Sequence, residues 1–340
     1  MTVSPPTSHR AWQFKSASGG LEKNLKLNPE TPMPKPKHDQ HLVQVIAAAL
    51  NPVDYKLVEI PLFTFFMKKP ATPVIDFAGK IVQPADGSSL QPGQIVFGAA
   101  GSGISGGALA EYATALPKAV APVPAGVSPI DAAGVCVAGL SAYQSIVPYV
   151  KEGGNVFING GSGGTGVYGI QIAKAKGCYV TTTCSTPNVE LCKSLGADEV
   201  IDYKKNDVLK TLKSSGRIYD HVVDNVGADM GLFWKCHEYT RPGAIYVSVG
   251  ALMSFKFLWE ATTARIWPGF LGGGKRKLQG FFAEPRTEDL AQIGTWMQQG
   301  KVKTVIDEKF KFEDAPKAFA KLKTGRAKGK VVVEVAPSEA

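Results

Sequence analysis

Asn155-Val156-Phe157-Ile158-Asn159-Gly160-Gly161-Ser162-Gly163-Gly164-Thr165-Gly166 decides how the rest of the chain reads. Val156, Phe157 and Ile158 form an apolar run fit for a buried strand, and Gly161, Gly163 and Gly166 fall on G-x-G-x-x-G spacing. Beyond them Val167, Ile170 and Ala173 recur at three-residue steps, Lys174 and Lys176 sit in the last turn, and Gly177 is placed to cap a helix. Side chains at the glycines would keep a pyrophosphate off the backbone N–H groups, and the helix start offers it partial positive charge. Strand, glycine turn, helix and a further strand at Tyr179 to Cys184 predict a dinucleotide-binding unit rather than a glycine-rich surface turn.

Toward the C-terminus the alternation continues. A helix capped at Thr186 runs from Pro187 to Gly196. Strands follow at Glu199 to Asp202 and His221 to Asp224, then a helix around Met230 to Glu238, then strands Ala244 to Val249 and Leu278 to Phe282. Six strands of this kind give a doubly wound parallel sheet, a Rossmann α/β fold over residues 131–299, with ligand at the carboxyl ends of the strands. Toward the N-terminus, residues 1–130 hold short strands broken by Pro and Gly: Ala11 to Phe14, His41 to Ala47, Phe77 to Gln83, Ile95 to Gly98 and Ala108 to Ala113. Their spacing predicts a small β-rich barrel. Ser128 as cap and Pro129 at the first helical position open a helical region through Tyr149 that joins the two domains. Helices around Leu290 to Met297 and Ala315 to Leu322 and a last strand, Val331 to Val335, follow, and residues 300–340 are expected to complete the first domain.

The 340 residues are 44% hydrophobic and 20% charged, ordinary for a globular protein of two domains. Lys and Arg exceed Asp and Glu by 38 − 29 = 9. That surplus suits nucleic acid, an anionic membrane or a phosphorylated cofactor. It is spread out except at Lys275-Arg276-Lys277 and from Lys321 to Lys330, with no RNA-recognition motif around either, so no nucleic-acid partner is expected. Five cysteines without a C-x-x-C pair fit a reducing compartment. Met1 to Ser8 lacks the pattern of a secretory signal and no run reaches the ~18 apolar residues of a membrane span, so a soluble, cytoplasmic protein is expected.

A site selective for NAD usually carries Asp or Glu ~20 residues past the glycines, where it accepts from the ribose 2′-hydroxyl. Here the place reads Cys184-Ser185-Thr186-Pro187-Asn188, with no acid until Glu190. Ser185, Thr186 and Asn188 offer neutral donors to a 2′-phosphate, so NADP(H) is the expected cofactor, with its charge partner in Lys204 or a tail lysine such as Lys330. No metal is expected: His9, His38, His41, His221 and His237 form no spaced ligand pair, and Cys236 and His237 are adjacent on a helix and point apart. No tyrosine is followed four residues later by Lys, so the Tyr-x-x-x-Lys proton relay is missing too.

The order of parts resembles a known family. Asn51-Pro52-Val53-Asp54, Val137-Ala138-Gly139-Leu140-Ser141-Ala142-Tyr143, Gly160 to Gly166, Leu195-Gly196-Ala197-Asp198 and Ile201-Asp202-Tyr203 look like the medium-chain dehydrogenase/reductase superfamily. Within it the likeness is to the zinc-independent quinone oxidoreductase and enoyl reductase branch, including fungal members. Where zinc-dependent members carry Gly-His-Glu, this chain has Ile75-Asp76-Phe77-Ala78-Gly79, and a cysteine-free glycine loop at Gly98 to Gly107 replaces their four-cysteine lobe.

The resemblance implies a GroES-like barrel as the catalytic domain. It implies that Ser162, Gly163, Gly164, Thr165 and Gly166 hold the pyrophosphate, and Ser185, Thr186, Asn188 and Tyr203 the adenosine 2′-phosphate end. Asn225 and Val226 would take the nicotinamide ribose, and Val249, Gly250, Phe281 and Phe282 the nicotinamide side. Pro52, Asp54 and Lys330 join the cofactor set, although Asp54 also suits a turn-capping role behind Asn51. Asn51, Tyr55 and Lys56 are the catalytic candidates, with Tyr55 or Lys56 able to supply a proton.

The expected chemistry is NADPH-dependent, metal-independent hydride transfer to a quinone or an α,β-unsaturated carbonyl (enone) in a small apolar molecule. Phe63, Phe66, Trp267 and Phe270 would line its pocket. One alternative is a trans-acting enoyl reductase working on a carrier-bound polyketide or fatty acyl chain. Another, of a different class, is an NADPH-binding regulatory or RNA-binding protein with little turnover. Residues 252–277, apolar and then basic, suit a substrate lid or a peripheral membrane contact. Monomer and homodimer both fit.

Overall fold

The computed structural model describes residues 6–61, 64, 67–101, 107–227, 230–249, 262–263 and 274–336. The chain divides into two compact units: Met1–Leu140 with Pro285–Gln299 and Thr304–Ala340, and Ser141–Glu284 with Gly300–Lys303.

In the first unit β1 (Ser8–Gln13) pairs antiparallel with β2 (Lys26–Pro32). The unit continues with β3 (His41–Leu50), β4 (Asp76–Gln83), β5 (Ile95–Ala99), β6 (Tyr112–Ala115) and β7 (Val120–Pro122). Val43, Val45, Ala47, Ala48 and Ala49 of β3 are all fully buried, because this strand is sandwiched between partners and shielded on both faces. The strand expected at Ala108 to Ala113 begins only at Tyr112, Ala110 making an isolated bridge to Ala11. β2, with Pro29 and Pro32 on a largely exposed edge, had no sequence signal because proline and exposure both erase the alternation that marks a strand.

The second unit is built on β8 (Asn155–Asn159), β9 (Tyr179–Cys184), β10 (Glu199–Asp202), β11 (Tyr219–Asp224), β12 (Thr240–Val249) and β13 (Lys277–Phe281). They form a parallel sheet in the order β10-β9-β8-β11-β12-β13. This is the expected six-stranded doubly wound sheet. Val156, Phe157 and Ile158 are completely buried, as a parallel strand covered on both faces requires. The order reverses direction between β8 and β11, and at such a switch point the loops leaving the two strands diverge and open a crevice at the carboxyl edge. The helix expected at Met230 to Glu238 is a short helix, Gly231–Trp234, and a 3-10 turn, Cys236–Glu238.

β14 (Ile306–Lys311) and β15 (Lys330–Glu334) return to the first unit, extending its sheet as β14-β15-β3-β4-β5-β7 with β6 also on β3. The return starts earlier than the expected residue 300. The helix Thr287–Gln298 belongs to the first unit, its Thr287 hydroxyl donating to Pro117 O, and residues 131–140 belong there as well. That corrects the 131–299 division: a helix long enough to look like the sixth crossover packs instead on β7.

Candidate active site

The glycine turn at the head of β8 separates into two kinds of glycine. A Cβ on Gly161 would collide with the Thr182 side chain of β9, and one on Gly166 with the backbone of Gly160 and Gly161. These two are required by the fold itself. A Cβ on Gly163 would meet only Gly160 O at 3.7 Å, an ordinary contact. The contacts a Cβ would make therefore do not explain a glycine there, in contrast to Gly161 and Gly166. Gly163 starts the helix Gly164–Ala175, whose N-terminal N–H groups lack helical partners and attract an anion.

Around this turn the polar groups are tied together from below and left free at the edge. Gly160 N donates to Thr183 Oγ1 (2.8 Å), and Thr183 Oγ1 donates to Asn159 Oδ1 (2.6 Å). Asn188 Nδ2 donates to Ser162 Oγ (3.1 Å) and Ser185 Oγ (3.3 Å), joining the glycine loop to the exit of β9. Its Oδ1 is buried without a partner among the described residues, as are both polar atoms of Asn225 and the hydroxyl of Ser248. Unpartnered buried polar atoms are costly in a finished protein and rare, so their gathering at the carboxyl ends of β9, β11 and β12 fits a ligand that completes them. Tyr203, Val226 and Phe282, just past the ends of β10, β11 and β13, are 49%, 53% and 61% exposed, and Val249 lies opposite Phe281 in the ladder. Gly250, Phe63, Phe66, Trp267 and Phe270 lie outside the described residues, as does most of 252–277.

One group at this edge was not anticipated. Asp202, at the end of β10, accepts the Thr186 hydroxyl at Oδ2 (2.7 Å) and the Lys204 N–H at Oδ1 (3.0 Å). The Thr186 bond, more than any other cause, holds this carboxyl below its ordinary range. The proton of Thr186 is therefore committed, which corrects its expected role as a free donor to a 2′-phosphate. Lys204 lies 5.5 Å over the Tyr203 ring and remains available at that edge.

The catalytic candidates of the first unit have a different character. Lys330, expected among tail lysines facing a phosphate, is 2% exposed. Its ammonium donates to Leu50 O (3.1 Å), Asn51 Oδ1 and Asp76 Oδ2 (3.2 Å), which uses all three of its N–H groups. Asn51 in turn is buried, its Nδ2 donating to Ala49 O (3.3 Å), so its carboxamide is engaged at both ends and is not a free donor for an enolate. Asp54 caps the helix Pro52–Lys56: its Oδ2 accepts Asn51 N (2.7 Å) and its Oδ1 accepts Ile75 N (3.1 Å). That bears out the turn-capping role and removes Asp54, like Lys330, from the groups open to a cofactor. Burial and then Asp76 push the Asp54 carboxyl up to about 7. Burial pushes Asp76 up as well, against the pull of Lys330. Tyr55 is half-buried beneath Lys323, burial raising its hydroxyl above the ordinary range so that it stays protonated, and Pro52 and Lys56 are exposed.

Residues 37–125 match the alcohol dehydrogenase GroES-like domain, and residues 195–333 match a family described as zinc-binding dehydrogenase. The chain is 49% identical to a trans-enoyl reductase of Aspergillus terreus, pgmF, over 98% of both proteins. It belongs to the medium-chain dehydrogenase/reductase superfamily. It is also 34% identical to the chloroplastic quinone-oxidoreductase QR1 of Triphysaria versicolor, over 96% of this chain and 98% of that one. The solved structure of the quinone oxidoreductase from Coxiella burnetii superposes with a TM-score of 0.83 at 30% identity, covering 96% and 99% of the two chains. The chain is thus an oxidoreductase of this superfamily, with a GroES-like first domain and a Rossmann-type domain that implies a nicotinamide cofactor. The zinc in the second family's description does not fit the described residues. Among the described residues no three His, Cys, Asp or Glu converge on a metal site, and Asp76 is bound to an ammonium instead. No described helix is long and apolar enough to cross a membrane.

Proposed function

We propose that the protein transfers hydride from NADPH to a carbon–carbon double bond conjugated to a carbonyl, or to a quinone, without a metal. The observation that carries this reading is the set of unpartnered buried polar atoms beside an open glycine at the switch point of the sheet. A nicotinamide dinucleotide fits that set: the backbone N–H groups from Ser162 to Gly166 meet a pyrophosphate, and Asn225 and Ser248 have hydrogen-bonding capacity that no described residue takes up. The exit of β9 carries Ser185 and Asn188 rather than an acid, and Lys204 stands nearby, which favours the phosphorylated form of the cofactor.

When bound, NADPH supplies the hydride. The negative charge that then develops on the substrate carbonyl oxygen requires donors or solvent. Tyr55, kept protonated by burial, and Lys56 are the groups proposed to deliver the proton. Aromatic side chains at Phe63, Phe66, Trp267 and Phe270 are proposed to give a small apolar substrate its pocket, and the protein is proposed to act in the cytoplasm.

A second reading, a trans-acting enoyl reductase on a carrier-bound acyl chain, is favoured by the 49% identity to a protein named for that activity. NADPH oxidation measured against matched quinones, free enones and enoyl thioesters decides between them. The proposed reductase consumes NADPH with at least one class and is indifferent to chelators. A preference for the thioester selects the second reading. Background rates with every acceptor contradict both and leave a nucleotide-binding protein with little turnover.

A further inference from the structure

A line of hydrogen bonds crosses the carboxyl edge of the parallel sheet. From Gly160 N it passes to Thr183 of β9, then to Asn159 of β8, whose Nδ2 donates to Asp224 Oδ1 of β11 (2.8 Å). The same Oδ1 accepts Val226 N (2.9 Å) and Gly227 N (3.1 Å), and Oδ2 accepts the Tyr246 hydroxyl of β12 (2.8 Å). These four strands are consecutive neighbours in the sheet, and Asp224 stands opposite both Asn159 and Ser248 in the ladder.

We propose that Asp224 is a positioning residue that holds the two nucleotide loops, the glycine turn after β8 and the Asn225–Gly227 turn after β11, in one fixed relation. The inference rests on the nucleotide reading above and goes beyond it in naming what sets the geometry.

Three observations support the assignment. Asp224 is 3% exposed and makes no ion pair among the described residues, so its charge is compensated by four donors alone. A buried carboxylate held this way is expensive for a protein that needs only a strand end. Its donors come from the last residue of β8 just before the glycine turn, from the turn after β11 and from β12, and no single-strand role would gather them. Finally, the line runs up to groups left open among the described residues: Asn225 follows Asp224 directly with both side-chain polar atoms unpartnered there, and Ser248, 1% exposed, sits opposite Asp224 on β12 with its hydroxyl likewise unpartnered. Burial and Asp224 together raise the Tyr246 hydroxyl well above its ordinary range, so it remains a donor at any working pH.

The discriminating experiment compares two buried tyrosines of the same sheet. Tyr246→Phe loses the bond to Asp224; Tyr219→Phe loses an equally buried bond to Thr181 Oγ1 (2.9 Å) that touches neither loop. Equilibrium dissociation constants for NADPH are measured by fluorescence titration of the full chain, with thermal unfolding alongside. Tyr246→Phe is expected to weaken NADPH binding by about three- to tenfold while Tyr219→Phe stays within about twofold. Asp224→Ala, where it folds, is expected to weaken binding by more than about tenfold and Asp224→Asn much less, because an amide oxygen still accepts the loop N–H groups while its NH₂ faces Tyr246. Equal effects from the two tyrosine variants, or none from either, overturn the positioning role. A wild-type protein that binds neither NADPH nor NADH fails the nucleotide reading itself, a result distinct from wild-type binding that the variants leave unchanged.

Discussion

The two polar centres of this protein invite comparison. In the first unit, Asn51, Asp54, Asp76 and Lys330 are buried together, and the Lys330 ammonium and the Asn51 amide donate to acceptors within the cluster or the backbone beside it. At the carboxyl edge of the parallel sheet, Ser248 is equally buried and Asn188 and Asn225 partly so, yet all three have buried side-chain atoms without a partner among the described residues. Burial of polar groups is common to both; satisfaction is not. A closed network holds a fold in shape, whereas a network with open ends awaits a further molecule, and the difference marks where binding is to be sought.

The largest expected effect breaks the closed network. Lys330→Met leaves Asp76 buried without its cation and is expected to destabilise the first unit by about 3–5 kcal/mol in chemical denaturation. Adding Asp76→Asn to that variant is expected to recover part of the loss, since the uncompensated charge is then gone.

Gly163→Val tests the open end. Its Cβ meets only Gly160 O, at an ordinary 3.7 Å, so unfolding should change little, while NADPH binding weakens by more than about tenfold, or ~1.4 kcal/mol. Gly161→Ala is expected to behave the opposite way, lowering the melting temperature because its Cβ meets Thr182. Should Gly163→Val bind NADPH as tightly as wild type, the distinction between the two glycines fails.

A pH profile sharpens the comparison further. With its folded pKa raised to about 7 from 3.8, Asp54 takes up a proton on folding between those values. Stability from the neutral form is complete below the unfolded pKa and is lost as pH rises through 7. Asp54→Asn should therefore flatten the fall in stability over that window in urea titrations, although it is less stable throughout, because its NH₂ faces a backbone N–H that the carboxylate accepted. The smallest effect is expected at Lys204→Ala, an exposed charge, which should narrow the preference for NADPH over NADH by a factor of about 2–5 and leave stability unchanged.

Much of the second unit was legible because its signals are local. The G-x-G-x-x-G turn, the apolar run Val156 to Ile158 and the strand ends at Asp202 and Asp224 follow from spacing within a few residues. The closed network was not legible, since Lys330 meets Asn51 and Asp76 only after the chain returns from β14 to β15, and nothing beside Lys330 in the sequence distinguishes it from the exposed lysines before it. Asp224 was read as a strand terminus and nothing more. Its role depends on Thr183, Asn159 and Tyr246 arriving at one level on three other strands, which only the ladder register shows. Thr186 misled for a similar reason: its partner, Asp202, lies on the next strand.

Titration of the purified full chain with NADPH and with NADH, followed by cofactor fluorescence, tests most directly whether the open edge of the sheet is a nicotinamide nucleotide site. Saturable binding of NADPH, tighter than that of NADH and abolished by Gly163→Val without loss of fold, is the expected result. An unchanged fluorescence signal with both nucleotides would contradict it.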